Sequence, residues 1–443
     1  MAQKKSSLAR RQFLRGLAAT PLLLSAGAAQ AESESEIILE LQSNRRVPML
    51  QVWADETSSL VTVLGNVDWG FNCVGATSPQ VSIVKAQKLR GTDLVLYRLH
   101  LEGLSISDYC QLNVFNEHRK LVDTRQIKGL DLAATDPKIA VVSCANFRKL
   151  KNQKIMYKRL HDQNPDLMLF IGDIVYSNSK TSSVLLTPED PSTALERYLT
   201  TWITVDLYQL DPLIPTLAVW DDHDYGANNG DHSHPYKSEM KEIFRSFYPM
   251  PESHQRLSYG PGVSFRLTAF GIDFHMMDAR TNKVPERTQW GSQQEAWLAR
   301  EFNNSTNPAW ILNGVQYFKY FVVIESMEKS AEPSLTMLKN LLRSRRKPTV
   351  LFSGDVHCSQ VQELPASLYG FKTYEITSSG IHCGSAGKLL KRSPEEGQLY
   401  YCGSDNFLMV RPRVQARAMD LRITCANEFG VESVSSSPLR ISV

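Results

Sequence analysis

The sequence predicts an α/β protein, with a layered domain at residues 136–443 preceded by a small β-sandwich domain at residues 35–135. Three observations predict it. Short β-type runs without long helical patterns fill the first part, and after Pro137 apolar strands alternate with helical stretches. Four of those later strands each end in a cluster of acidic or metal-capable residues, and open α/β sheets place ligands beyond the carboxyl ends of strands.

Composition agrees with a folded chain. Of 443 residues, 42% are hydrophobic and 21% charged, as in globular proteins and unlike disordered ones. At roughly 150 residues per domain the length accommodates two or three domains. A formal net charge of +3 gives no argument for a nucleic acid or a membrane surface, so no stable nucleic-acid complex is expected.

Residues 1–31 read as an export signal. Lys4 and Lys5 open a basic region, Arg10-Arg11-Gln12-Phe13-Leu14-Arg15 follows, and a mostly apolar stretch runs from Leu17 to Ala29. Ala29-Gln30-Ala31 fits a small-residue cleavage site. The run resembles a twin-arginine signal, with Ala9 where Ser or Thr is usual. That resemblance implies a periplasmic or secreted protein whose metal site is assembled before export. The other readings are a basic, frayed N-terminus and a retained anchor, although the apolar stretch is short of the about 20 residues a spanning helix needs. No later segment is long and apolar enough to span, so none is expected in the mature chain.

The N-terminal β region shows runs at Leu60–Leu64, Val81–Val84, Leu94–Leu99 and Cys110–Phe115, at the close spacing of a β-sandwich. Asp131 to Pro137 reads as a linker. Ile139–Val142 is then an apolar strand ending at Ser143-Cys144, and a helical stretch follows near Gln153 to Gln163. Leu167–Ile171 ends at Gly172-Asp173, a helical stretch covers about Ala194 to Leu210, and Thr216–Trp220 ends at Asp221-Asp222-His223-Asp224. Further strands are read at Gly271–Asp278, Ala309–Asn313 and Thr349–Ser353, the last running into Gly354-Asp355-Val356-His357. β-type runs return towards the C-terminus, at Asn406–Pro412 and Met419–Ala426. The basic run Arg343 to Lys347 reads as a solvated helix end. Residues 178–191 and 228–261 are expected as loops shaping a pocket.

Each cluster has a bland reading beside the chemical one. Asp173 at a strand end can bridge two cations with its two oxygens, or it can cap a helix. Three carboxylates and an imidazole at 221–224 repel one another unless a cation or partner compensates; a structural calcium loop is the alternative. The polar, glycine-rich stretch 226–232 reads as a loop folding over the same site, with His232 and His234 as loop residues. Asp355 and His357 alternate with Val356, so both face the same way in an extended segment. Cys144 is a thiolate ligand or a small buried hydrophobe. Arg280 follows a further strand and can clamp a phosphate through two hydrogen bonds, or pair with Asp278 or Glu286. Seven cysteines are present: Cys73, Cys110, Cys144, Cys358, Cys383, Cys402 and Cys425. An odd count leaves at least one unpaired, expected to be Cys144, while Cys73 with Cys110 is a candidate pair.

In order, the elements are Ser-Cys, Gly-Asp-x-x-Tyr, Asp-Asp-His-Asp, Asp-x-Arg and Gly-Asp-Val-His. Together they resemble the alkaline phosphatase D (PhoD-like) family of calcineurin-type metallophosphoesterases over residues 139–380, including the stretch Glu375 to Gly380. The N-terminal β region and the export signal match that family too. The resemblance implies a four-layer α/β/β/α catalytic domain and a centre of iron beside calcium or another divalent ion such as manganese or zinc. It places Asp173 between the metals, with Cys144, Tyr176 and His357 on the iron, and Asp222 and Asp355 on the second ion. Asp222 stands where many related phosphoesterases have Asn, and Asn229 is a competing ligand. His223 is implied to protonate the leaving group or contact the phosphate, and Arg280 to hold phosphate oxygens. The implied substrate is a small phosphate mono- or diester, attacked by water activated between two cations. The reading from another class is a non-enzymatic exported binding protein with structural calcium sites. The set Cys144, Tyr176 and His357 discriminates, because structural calcium sites use neither thiolate nor imidazole.

Overall fold

The computed structural model describes residues 45–149, 151–178, 188–320, 325–384 and 396–443. The export-signal reading and most of the expected loop 178–191 lie outside the described residues. No helix among the described residues is long and apolar enough to cross a membrane.

The first part is built from two antiparallel sheets. One orders the strands Met49–Ala54, Ser58–Asn66, Leu94–Glu102 and Gln80–Lys88; the other orders Gly70–Val74, Cys110–Phe115 and Leu121–Ile127. Alternation along the strands decides which side chains turn inward. Cys110, Leu112 and Val114 from the small sheet join Val61, Val63, Leu99 and Leu101 from the large one in a single buried cluster. Leu213, from the second part of the chain, packs into the same cluster.

The second part is α/β with two larger sheets. The seven-stranded sheet runs Thr216–Val219, Leu167–Ile171, Ile139–Val142, Asn406–Gln415, Ala418–Asn427 and Val431–Ser433, with Leu439–Ser442 also paired to Ala418–Asn427. Its first three strands are parallel neighbours. The eight-stranded sheet runs Leu257–Tyr259, Phe265–Ala269, Ile272–Met276, Ala309–Leu312, Thr349–Ser353, Thr373–Thr377, Ser359–Leu364 and Gln398–Cys402. The strands Ile139–Val142, Leu167–Ile171 and Thr349–Ser353 are buried at every position. Strands covered on both faces read as unbroken apolar runs, which is why these three were visible in the sequence.

The helices differ from expectation in three places. The stretch expected to be helical from Ala194 to Leu210 starts earlier and stops at Thr204, with a separate 3-10 turn at Asp206–Gln209. Asp190 caps its start by accepting from the N–H groups of Ser192 and Thr193. Near its end, Thr200, Thr201 and Thr204 turn their hydroxyls back onto carbonyls one turn earlier, a bond that competes with the helix, and Val205 is extended. Residues 228–261 are not all loop: Lys237–Phe247 is helical and buries Met240, Phe244 and Phe247 on one side. The basic run does close a helix, Glu332–Arg345, but Lys347 is buried and not solvated. Its ammonium donates to the Phe302 carbonyl at 3.1 Å, and burial pushes its pKa down to about 8.

Candidate metal centre

The chemistry-bearing residues follow the carboxyl ends of strands in both larger sheets. Cys144, Asp173 and Asp222 come just after three adjacent strands of the seven-stranded sheet, and Asp355 and His357 just after a strand of the other. Two small residues let the sheets approach here. Ser143 donates to the Ser378 carbonyl at 2.9 Å across the junction. A Cβ on Gly354 would sit 3.1 Å from the Gly314 and Ile171 carbonyl oxygens and from Ser143 Oγ. Gly172 has φ +100° and lies against Asp221, so a side chain there is excluded twice.

The backbone is strained where ligands are expected. Cys144, Asp173, Asn229, Asp355 and His357 all have positive φ, at 56°, 57°, 52°, 69° and 54°. Left-handed conformations are uncommon for such residues, and they concentrate at functional sites. At Cys144, Asp173 and Asp355 they let a strand end turn sharply, and Asp355 and His357 converge through such turns rather than along the extended segment expected.

Three overlapping sets of donor atoms result. Cys144, Asp173 and His357 lie within 4.8 Å of one another, as do Asp173, Asp222 and His223, and as do Asp221, Asp222 and Asp355. Tyr176 joins the first set, its hydroxyl 3.0 Å from His357 Nε2. Its ring stacks on His223, centroids 4.1 Å apart. The Cys144 thiol donates to Asp173 Oδ2 at 3.4 Å and lies 3.2 Å from Ser379 Oγ.

The electrostatics call for a cation. Burial, then the charges of Cys144 and Asp222, push the Asp173 carboxyl well above the usual range. Asp355 is raised in the same way, by burial and by Asp222 and Asp221. Burial lifts the Cys144 thiol to about 12 and the Tyr176 phenol well above its ordinary value. Asp222 is held low, at about 2: burial opposes its charge, but His223, Arg280 and the Asn229 N–H outweigh it. Buried oxygens Asp222 Oδ1 and Asp221 Oδ2 have no hydrogen-bond partner. Unpartnered buried carboxylate oxygens beside a thiol, a phenol and an imidazole fit a pair of metal ions, one soft-side and one hard.

Cys144, Asp173, Tyr176, Asp222, His223, Asp355 and His357 are thus brought together. Asn229 is placed differently: its backbone N–H donates to Asp222 Oδ2 at 2.7 Å, while the residue itself is exposed. Arg280 is fully buried, with Nε on Asp221, Nη1 on Glu325 Oε2 at 2.9 Å, and Nη2 without a partner. Neither alternative partner weighed for it, Asp278 or Glu286, takes the guanidinium. His232 lies against the Lys283 carbonyl, Nδ1 at 3.0 Å, and His234 Nδ1 accepts from the Tyr236 N–H at 3.1 Å. All seven cysteines carry free thiols, and those of Cys73 and Cys110 are in hydrogen-bond contact.

Sequence reasoning missed Asn178, Arg148 and Cys383 as parts of the centre and gave Asp224 no role of its own. Asp224 braces the centre by accepting from the N–H groups of Asp173, Val175 and Asp221 at 2.6, 2.7 and 3.0 Å. Asn178 Oδ1 lies 2.8 Å from His223 Nδ1 and fixes that ring. Arg148 donates to the Asn178 carbonyl at 2.8 Å, and its charge acts on His223. Cys383 is hydrogen-bonded to His357; burial opposes a charge on that imidazole, but Cys383 and Asp355 outweigh it and lift His357 to about 9. The signal for Cys383 was its position three residues after Gly380, at the end of the last motif.

Residues 139–423 match the model of the PhoD-like phosphatase family, well over half of the chain and every segment of this centre. The chain belongs to the PhoD-like phosphatase family. It is 23% identical over 314 residues to alkaline phosphatase D of Bacillus subtilis (strain 168), across 58% of this chain and 52% of that protein. The chain therefore spans about half the length of the curated relative it matches. The solved structure of PhoD superposes with a TM-score of 0.64 over 88% of this chain and 92% of that one, at 15% identity. A PhoD-type α/β fold is thereby shared, as the motif order implied.

Proposed function

We propose that this PhoD-like protein is an exported, metal-dependent phosphoric ester hydrolase acting on small phosphate mono- or diesters. The observation that carries the reading is the shared position of Asp173. It belongs to the thiol and imidazole set on one side and to the Asp222 and His223 set on the other. A carboxylate so placed can bridge two ions. Cys144, Tyr176 and His357 would hold iron; Asp222 and Asp355 would hold calcium or another divalent ion, with Asn229 steadying Asp222. When bound, two adjacent cations lower the pKa of a water between them and neutralise phosphoryl charge.

The chain's own residues supply orientation. Burial holds the His223 pKa down at about 4, so the imidazole is neutral at neutral pH. With Nδ1–H donating to Asn178 Oδ1 and one face on Tyr176, the neutral ring keeps a lone pair on its other nitrogen, which can accept a proton and would donate to a leaving oxygen only after taking one up. Arg280 acts by fixing Asp221 and adding positive charge to an acidic wall, and Arg148, held on the Asn178 carbonyl beside His223, would add positive charge at a phosphate. We also read the two N-terminal sheets as a β-sandwich accessory domain, a reading supported by the single buried cluster between them, and the rest as α/β/β/α layers. The calcium-stabilised binding protein gives no use to the thiol and imidazole.

The test is turnover of chromogenic phosphate mono- and diesters before and after chelation, with iron and calcium added back. Turnover lost on chelation and restored by metal supports the reading. No turnover under any metal loading favours the binding protein.

A further inference from the structure

A second cluster of metal-type donors shares no residue with the centre. Cys402 ends Gln398–Cys402, the edge strand of the eight-stranded sheet. Cys425 lies in Ala418–Asn427 of the seven-stranded sheet, and Glu432 stands directly across from it on the next strand. The two sulfurs and a Glu432 carboxylate oxygen all lie within 4.8 Å of one another.

Two buried thiols alone would read as small hydrophobes. Glu432 is what argues otherwise. It is exposed, yet held: Tyr400 donates to its Oε1 at 2.6 Å and Asn427 Nδ2 donates to the same oxygen at 3.3 Å. Asn427 also reaches Cys402 Sγ at 4.0 Å, and Ser404 Oγ lies 3.3 Å from that sulfur. Tyr400 and Cys402 stand two apart on one strand and so face the same way. Hydrogen bonds that orient a carboxylate towards two thiols, with its second oxygen left over, are the outer-shell arrangement of a metal ligand.

We propose that Cys402, Cys425 and Glu432 form a structural site for zinc or another thiophilic divalent cation, tying the edges of the two sheets together. A tetrahedral centre with bonds of roughly 2.0–2.3 Å spaces its ligand atoms about 3.3–3.8 Å apart, within the 4.8 Å that bounds these three donor atoms. Two sulfurs and one carboxylate suit zinc better than calcium. Glu432 is exposed, so a water could complete the set. A disulfide between the same sulfurs would cross-link the sheets too, but would leave the oriented Glu432 without a part.

The full chain is reduced, loaded with zinc and desalted, and zinc and iron per chain are measured in wild type, Cys425→Ser and Glu432→Gln. Cys425→Ser loses one zinc with iron unchanged. Glu432→Gln, an exposed and near-isosteric change that leaves folding intact, binds that zinc at least tenfold more weakly against a competing chelator. Cadmium loading gives a near-ultraviolet sulfur-to-metal band that is smaller in Cys425→Ser. Equal zinc content and affinity in all three proteins overturns the proposal. So does an unreduced chain lighter by the mass of two hydrogens that yields a linked Cys402–Cys425 peptide pair.

Discussion

Asp224→Asn separates a carboxylate that braces the centre from those that hold ions. Asp224 Oδ2 accepts from the N–H groups of Asp173 and Asp221, and Oδ1 accepts from Val175. Asparagine keeps one acceptor oxygen, so at least one buried N–H is left facing an amide NH2. An unpaired buried donor costs about 1–3 kcal/mol, a fall in melting temperature of roughly 1–5 °C at about 1–2 °C per kcal/mol for a domain of about 300 residues. Burial of the Asp224 charge, which lifts its pKa to about 8, offsets part of it. Because Asp173 hangs from this brace, bound iron falls with it. Asp355→Asn is the contrast. Burial and its acidic neighbours disfavour the charged form of Asp355, so chelator-treated Asp355→Asn melts at or above the wild-type temperature while its metal content and turnover drop. Differential scanning fluorimetry after chelation, with elemental analysis before it, reads both effects. Equal melting temperatures for wild type and Asp224→Asn, with full iron, would refute the brace.

Arg280→Met leaves buried Asp221 without its partner, and breaking a buried pair from one side costs about 3–5 kcal/mol in unfolding free energy; a raised KM with unchanged urea midpoint would instead mean that Arg280 meets the substrate. Arg148→Ala lowers kcat/KM on a phosphate monoester about 10- to 100-fold, the worth of one charged hydrogen bond of about 1.5–3 kcal/mol, beyond any loss of stability from its bond to the Asn178 carbonyl; steady-state kinetics with a wild-type kcat/KM would remove it from the site. Asp190→Ala costs about 1 kcal/mol at pH 7 through loss of the helix cap. Hydrogen bonds from Ser192 and Thr193 hold the Asp190 pKa at about 2, below its ordinary value of 3.8. The cap's contribution is therefore present in full above about pH 4 and fades as pH falls towards 2, so stability curves of the two proteins converge there.

What the sequence made legible was local. Cys110–Phe115, Ile139–Val142, Leu167–Ile171, Thr349–Ser353 and the helix Gln153–Gln163 have the observed ends, because each carries its own burial pattern and punctuation. Ser359–Leu364 was not legible: Gln360 and Gln362 are buried in the sheet, and nothing local announces a buried polar residue such as Gln362, which donates to the Glu396 carbonyl. The four motif segments were found because strand ends delivered them. Their division of labour was not, because it is rotational. Residues 222–225 form one helical turn, and successive side chains on a helix point about 100° apart. Asp221 faces Arg280, Asp222 faces the centre, and Asp224 folds back on the Asp173 loop. Arg280 reaches Asp221 across 59 residues of sequence, a pairing that only the assembled sheets bring about.

The most direct test of the shared-carboxylate centre is the iron and divalent-ion content of Asp173→Asn beside wild type, with phosphate-ester turnover measured on the same samples. Removing a carboxylate that serves both positions empties both, so iron and the second ion fall together and turnover is lost. Retention of either ion at the wild-type level, or turnover that survives, would contradict the placement of Asp173 between them.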